Sequence, residues 1–112
     1  MDDIIKKYLQ DMLTAIEEID SFFDGKPKRF NEFYGDIRLR RATERDIEII
    51  GEAMNRILKA DNNVAITNSR KIVDARNYII HGYDSLSADI LWSIVINHLP
   101  KLKMEVVALL NS

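Results

Sequence analysis

Apolar residues recur at three- and four-residue steps along most of this chain, and this periodicity limits its fold more than any other feature. One stripe comprises Ile5, Tyr8, Leu9, Met12, Leu13, Ile16, Ile19 and Phe23, and a second comprises Ala42, Ile47, Ile50, Ala53, Met54, Ile57 and Leu58. Such spacing places the apolar side chains on one face of an α-helix. No segment of any length alternates with the period of two that is typical of strands. The sequence therefore predicts an all-α fold.

Glycine, proline and polar clusters set the limits of the first two helices. We predict a first helix at about residues 2–23, followed by the loop "DGKPKRFN", and a long helix at about 34–60, followed by the polar loop "ADNNVAITN". Gly51 lies inside the long helix, where a glycine costs about 1 kcal/mol relative to alanine. It marks either a close approach of another helix or a tolerated defect.

A third helix is predicted to begin at a cap residue among Thr67, Asn68 and Ser69 and to end at Gly82. Serine, threonine and asparagine are preferred at helix starts because their side chains accept backbone N–H groups. This helix carries the most chemically distinctive segment of the chain.

The last part of the chain predicts further helix, with Ser85 or Ser87 as a cap and Pro100 either starting a new helix or kinking the old one. With short polar connections between amphipathic helices, the expected architecture is a four- or five-helix antiparallel bundle. We expect a single domain over residues 1–112, since this length suits one core.

Composition restricts the compartment and the partners. The chain is 46% hydrophobic and 30% charged, without cysteine and without an apolar run of membrane-spanning length. Its start, "MDDIIKKYLQ", is acidic where a signal peptide would be basic, so we expect a cytoplasmic protein with no membrane association. A formal charge of −2 argues against a protein that coats nucleic acid non-specifically.

Charge is nevertheless unevenly distributed. Residues 26–45 contain seven lysine or arginine residues against three acids. One interpretation is a locally positive face, and the other is a set of solvated helix faces.

The segment "RNYIIHGY", residues 76–83, combines Arg76, Asn77, His81 and Tyr83. Arginine offers a planar cation for a phosphate, and histidine suits proton exchange near neutral pH. Together they suit phosphodiester cleavage, in which a base takes the proton of a ribose 2′-hydroxyl and a cation stabilises charge on the phosphoryl oxygens. We predict neither a metal site nor a cofactor, because the two histidines lie seventeen residues apart and there is no cysteine.

Helix geometry separates the two groups that would do this chemistry. Five residues at about 100° each place His81 about 140° around the helix from Arg76. Either the helix loosens before Gly82, or the site is composite, with the third helices of two subunits side by side across a two-fold axis. In the purely structural alternative, Arg76 pairs with an acid such as Glu48 or Glu52, His81 caps the helix and Tyr83 packs.

The string R-x4-H-x-Y in "RNYIIHGY" resembles the signature of the HEPN superfamily of helical ribonucleases. The segments "TERDIEIIGEAMNRI", "ARNYIIHGY" and "DILWSIVINHLPKL" are similar in order and spacing to the HepT toxin branch of that superfamily, over about residues 5–110.

This resemblance implies a homodimeric endoribonuclease toxin of the type VII-like class, encoded with a minimal nucleotidyltransferase antitoxin. It implies that Arg76 and His81 cleave RNA at the dimer interface without a metal, that Asn77 supports the site, and that the antitoxin attaches AMP to Tyr83. Many relatives have an acid where this chain has Gly82. Two alternatives remain open: a catalytically weak partner that binds nucleotides or a nucleotidyltransferase, and a helical scaffold without chemistry.

Overall fold

A computed structural model describes residues 2–81 and 87–112. In these ranges every regular element is helical, and no helix is both long and apolar enough to cross a membrane. The α-helices are α1 Asp3–Ser21, α2 Phe30–Gly35, α3 Ile37–Ala60, α4 Ser69–Ile80, α5 Ala88–Ser93 and α6 Leu99–Leu110, with a π-helical segment Ile94–His98 between α5 and α6.

The helix α3 lies at the centre and packs against both α1 and α4, while α1 also packs against α6. The predicted stripes supply the core: Leu9, Met12 and Ile19 of α1 and Ile47, Ile50, Met54 and Ile57 of α3 are fully buried. The predicted all-α helical bundle is therefore confirmed. Burial of these side chains stabilises the fold by roughly 1.5–3 kcal/mol each before the entropic cost of ordering them.

The long helix begins three residues later than predicted. Asp36 adopts an extended conformation and caps α3, since its Oδ1 accepts the Leu39 backbone N–H at 3.0 Å. Residues Phe30–Gly35 form the separate short helix α2, whose first two residues were assigned to the loop. The prediction was wrong here because a six-residue helix anchored mainly by the buried Phe33 gives little periodic signal.

The helix α4 begins at Ser69, within the predicted range, but its cap is unusual. Asn68 is the N-cap in a left-handed conformation with φ of 57°, and its side chain makes no capping hydrogen bond. The preceding loop is instead held by α6. The Glu105 carboxylate accepts hydrogen bonds from the Thr67 backbone N–H at 3.1–3.2 Å and from the Thr67 side-chain hydroxyl at 3.0 Å. A contact between residues thirty-eight apart in sequence thus anchors the loop that leads into α4.

Ser87 caps α5 as predicted, with its Oγ accepting the Ile90 backbone N–H at 3.3 Å. The other candidate cap, Ser85, lies outside the described residues. Pro100 stands at the start of α6, so it begins a helix. The preceding turn widens into the π-helical segment, where the Leu99 N–H donates to the Ile94 carbonyl, and this widening relieves the clash that proline causes in a regular helix.

Candidate active site

The close approach of α3 and α4 at Gly51 positions Arg76. A Cβ atom added at Gly51 would overlap the Arg76 Cβ, and would lie only 2.9 Å from the Ile72 carbonyl oxygen and 3.0 Å from the Arg76 Cγ. Glycine is therefore required for the two backbones to come this near. The interpretation of Gly51 as a helix contact is confirmed, and its position places the Arg76 side chain along α3.

Arg76 forms an ion pair with α3. Its Nη2 lies 2.5 Å from the Glu52 Oε2, although these atoms are not aligned for a hydrogen bond. The other Glu52 oxygen accepts a hydrogen bond from Arg56 Nε at 2.8 Å. That hydrogen bond and the charges of Arg76 and Arg56 hold the pKa of Glu52 below its usual range, against the opposing effect of burial. The ion pair anticipated with Glu48 or Glu52 is thus formed by Glu52.

Asn77 holds the same guanidinium from the second side. Its Oδ1 accepts a hydrogen bond from Arg76 Nη1 at 2.9 Å. Within the described part of the chain, the Arg76 Nε is buried without a hydrogen-bond partner. The guanidinium is therefore oriented by contacts at Nη1 and Nη2, while its third nitrogen, Nε, is a buried donor without a hydrogen-bond partner among the described residues.

His81 lies at the opposite side of the same helix. It is the C-cap of α4, its backbone N–H donates to the Asn77 carbonyl at 3.1 Å, and its side chain is exposed. Five residues beyond Arg76 correspond to about 7.5 Å along the axis and about 140° around it. The helix remains α-helical through Ile80, so it does not loosen before that residue. Gly82 and Tyr83 lie outside the described residues.

Arg76 also lines an open groove of about 690 Å³ between α1 and α3. The lining combines polar and apolar surface and contains five acids and two arginines. The acids are Asp11 and Glu18 of α1 and Asp46, Glu48 and Glu52 of α3, and the second arginine is Arg45. The described residues contain no group of three or more histidine, cysteine or acidic side chains arranged to hold a metal ion.

One residue of the groove, Asp46, was not predicted from the sequence. Asp46 is only 3% exposed, and its Oδ2 has no hydrogen-bond partner among the described residues. Burial, followed by the hydrogen bond and negative charge of Glu18, raises its pKa to about 7. A signal was available: Asp46 stands one turn before Ile50 on the apolar face of α3, where an acid is out of place.

Comparison with known proteins links this helical architecture to RNA cleavage. The family model described as "Ribonuclease HepT-like" matches residues 12–109. A protein of Methanocaldococcus jannaschii named "Putative RNase MJ1380" is 35% identical over 91% of this chain and 93% of its own length. "Probable ribonuclease HepT" of Thermococcus cleftensis is 32% identical over 88% of each chain. No solved structure gives a significant match. The chain belongs to the HepT-like ribonuclease family.

Proposed function

We propose that the protein is an endoribonuclease toxin of a type VII-like toxin–antitoxin system, and that it acts as a cytoplasmic homodimer in which Arg76 and His81 cleave RNA. One observation carries this proposal: in a HepT-like helical fold, Arg76 is oriented by Glu52 and Asn77 while His81 is exposed on the same helix.

The two side chains suit the two demands of RNA cleavage. His81 would accept the proton of a ribose 2′-hydroxyl, and the freed oxygen would attack the adjacent phosphorus. The bond to the 5′-oxygen then breaks, and that oxygen takes up a proton, which leaves a cyclic phosphate and a 5′-hydroxyl. Arg76 would stabilise the negative charge that develops on the phosphoryl oxygens. The reaction needs no metal ion.

A dimer explains how groups on opposite sides of one helix serve one site. Tyr78 lies three residues before His81, about 60° from it around the helix axis, and is 44% exposed. A second copy of α4 packed against this side of the helix would bury Tyr78. It would also bring His81 of the partner subunit towards the first subunit's Arg76.

Tyr83 is the proposed regulatory site. A minimal nucleotidyltransferase antitoxin would direct its hydroxyl to attack the α-phosphorus of ATP, forming a Tyr–AMP phosphodiester and releasing pyrophosphate. Tyr83 follows His81 by two residues, so the added phosphate and base would lie beside the substrate path. The new negative charge and bulk would exclude RNA.

Cleavage of a labelled single-stranded RNA in the presence of a chelator tests the catalytic assignment. We expect the wild type to cleave, and Arg76→Ala and His81→Ala each to lose cleavage while circular dichroism and sedimentation show a folded dimer. Arg70→Ala is the matched control, because Arg70 is an exposed arginine of the same helix. Full activity of either site variant would contradict the assignment.

A further inference from the structure

Three arginines form a stripe along the N-terminal half of α3. Arg38, Arg41 and Arg45 follow one another at steps of three and four residues, and all three are exposed. In an α-helix these steps place the side chains within about 60° of arc, one turn apart, over about 10 Å of the axis. We call these three residues the arginine stripe.

The arginine stripe makes no ion pair within the described part of the chain. Elsewhere, Arg29, Arg56 and Arg76 each lie within 4 Å of a carboxylate. The stripe also begins in the first turn of α3, which contains no acid. Positive charge there interacts unfavourably with the helix dipole. The charges of Arg41 and Arg45 act on the carboxyls of Glu44 and Asp46, where they oppose the rise in pKa that burial causes. None of the three guanidinium groups is held in an ion pair among the described residues, and all three remain exposed to a ligand.

The stripe leads towards the candidate site. Arg45 lines the same groove as Arg76 and Glu52. Glu52 lies on the same side of α3, about 40° around the axis from Arg38 and about 10 Å beyond Arg45. The arginine stripe and Glu52 therefore lie on one side of α3. Glu52 in turn contacts Arg76, whose guanidinium is proposed to bind the scissile phosphate.

We infer that the arginine stripe is a binding track for the sugar–phosphate backbone of single-stranded RNA, which it guides along α3 to Arg76. This inference rests on the proposed function and adds to it a substrate-binding surface outside the cleavage site.

Spacing and charge favour a nucleic-acid backbone as the ligand. Cations one helical turn apart lie about 5 Å from each other, and the long arginine side chains can adjust this separation to that of successive phosphates. The groove also contains acids, among them Asp11, Glu18 and Glu48, which repel phosphates, so the backbone would be held by the exposed arginines and not within the groove. Contacts with phosphate carry no sequence information, so the track would be tolerant of base sequence.

Binding measured on a cleavage-deficient protein separates this inference from the proposed function. Fluorescence anisotropy would follow a labelled single-stranded RNA bound by full-length His81→Ala protein at several salt concentrations. The test protein additionally carries Arg38→Gln, Arg41→Gln and Arg45→Gln. The control carries Lys59→Gln, Lys71→Gln and Lys101→Gln, which remove three exposed charges elsewhere. Circular dichroism would establish that both are folded.

We expect the stripe variant to bind at least about tenfold more weakly, and the slope of log K against log salt to become shallower by about 2, as loss of three phosphate contacts predicts. The control should change the slope by much less. Equal effects of the two triples, or no RNA binding by the parent protein at low salt, would overturn the track. Stripe-dependent binding by a wild type that does not cleave RNA would support the track and contradict the proposed function. RNA cleavage with a KM that the stripe substitutions do not change would support the proposed function and contradict the track.

Discussion

The Arg76 guanidinium of α4 and the Glu52 carboxylate of α3 lie 2.5 Å apart, so a residue of one helix decides where the proposed catalytic cation of the other points. Asn77 completes this arrangement from within α4. Glu52 is thus a positioning residue in the proposed site.

Replacing Glu52 tests that positioning role. Glu52→Gln keeps the size of the side chain but removes its charge, and with it the ion pair that orients Arg76. We expect kcat for RNA cleavage to fall by about tenfold, because a misplaced cation stabilises the transition state less. Glu48→Gln is the control, since it removes an acid of the same groove that has no ion pair with Arg76. Equal kinetics for the two variants would remove Glu52 from the site.

The helix contact at Gly51 predicts a specific destabilisation. Gly51→Ala adds a methyl group into the Arg76 side chain and the Ile72 carbonyl. The resulting overlap should lower the free energy of unfolding by about 2 kcal/mol, more than alanine's helix propensity of about 1 kcal/mol can offset. Gly35→Ala is the control, because a Cβ there meets no atom within 4 Å. Urea denaturation decides the matter, and a stabilised Gly51→Ala protein would contradict the contact.

The buried Asp46 predicts a dependence of stability on pH. The folded protein retains this proton up to about pH 7, whereas the unfolded chain releases it near 3.8. Unfolding therefore releases a proton between these values, so the contribution of Asp46 to stability is largest in acid and is lost as pH rises through 7. Relative to the wild type, Asp46→Asn should gain up to about 4 kcal/mol in the free energy of unfolding between pH 4 and pH 8.

Urea titrations of Asp46→Asn at a series of pH values measure that difference. Glu18→Gln provides the matched comparison, because it removes the neighbour but leaves Asp46 buried. The pH dependence should then be smaller than in the wild type but still present. A constant difference between wild type and Asp46→Asn across this range would show that the carboxyl is ionised throughout.

Modification at Tyr83 is tested by intact mass. After incubation with the partner nucleotidyltransferase and ATP, the wild type should gain mass in units of AMP and lose RNA cleavage. Tyr83→Phe should gain no mass and should remain active, because it lacks the attacking hydroxyl. Mass gained by the Phe variant would assign the modification to another residue.

The sequence by itself determined the helical class and the separation of Arg76 from His81. Both follow from local rules: apolar residues three and four apart define a helix face, and five residues turn a helix through about 140°. Ser87 and Pro100 likewise act on adjacent backbone, and in each case the structure adopts one of the two alternatives that the sequence left open. The short helix α2 was missed because one anchoring residue per turn leaves no periodic pattern.

Only the tertiary structure decided which residues surround Arg76. Two acids of α3 were equally eligible partners, and the contact at Gly51 determined that Glu52 is the one used. The effect of Glu18 on the pKa of Asp46 likewise exists only because α1 packs on α3. These contacts join residues far apart in sequence, and their geometry depends on how helices cross, which no local pattern encodes.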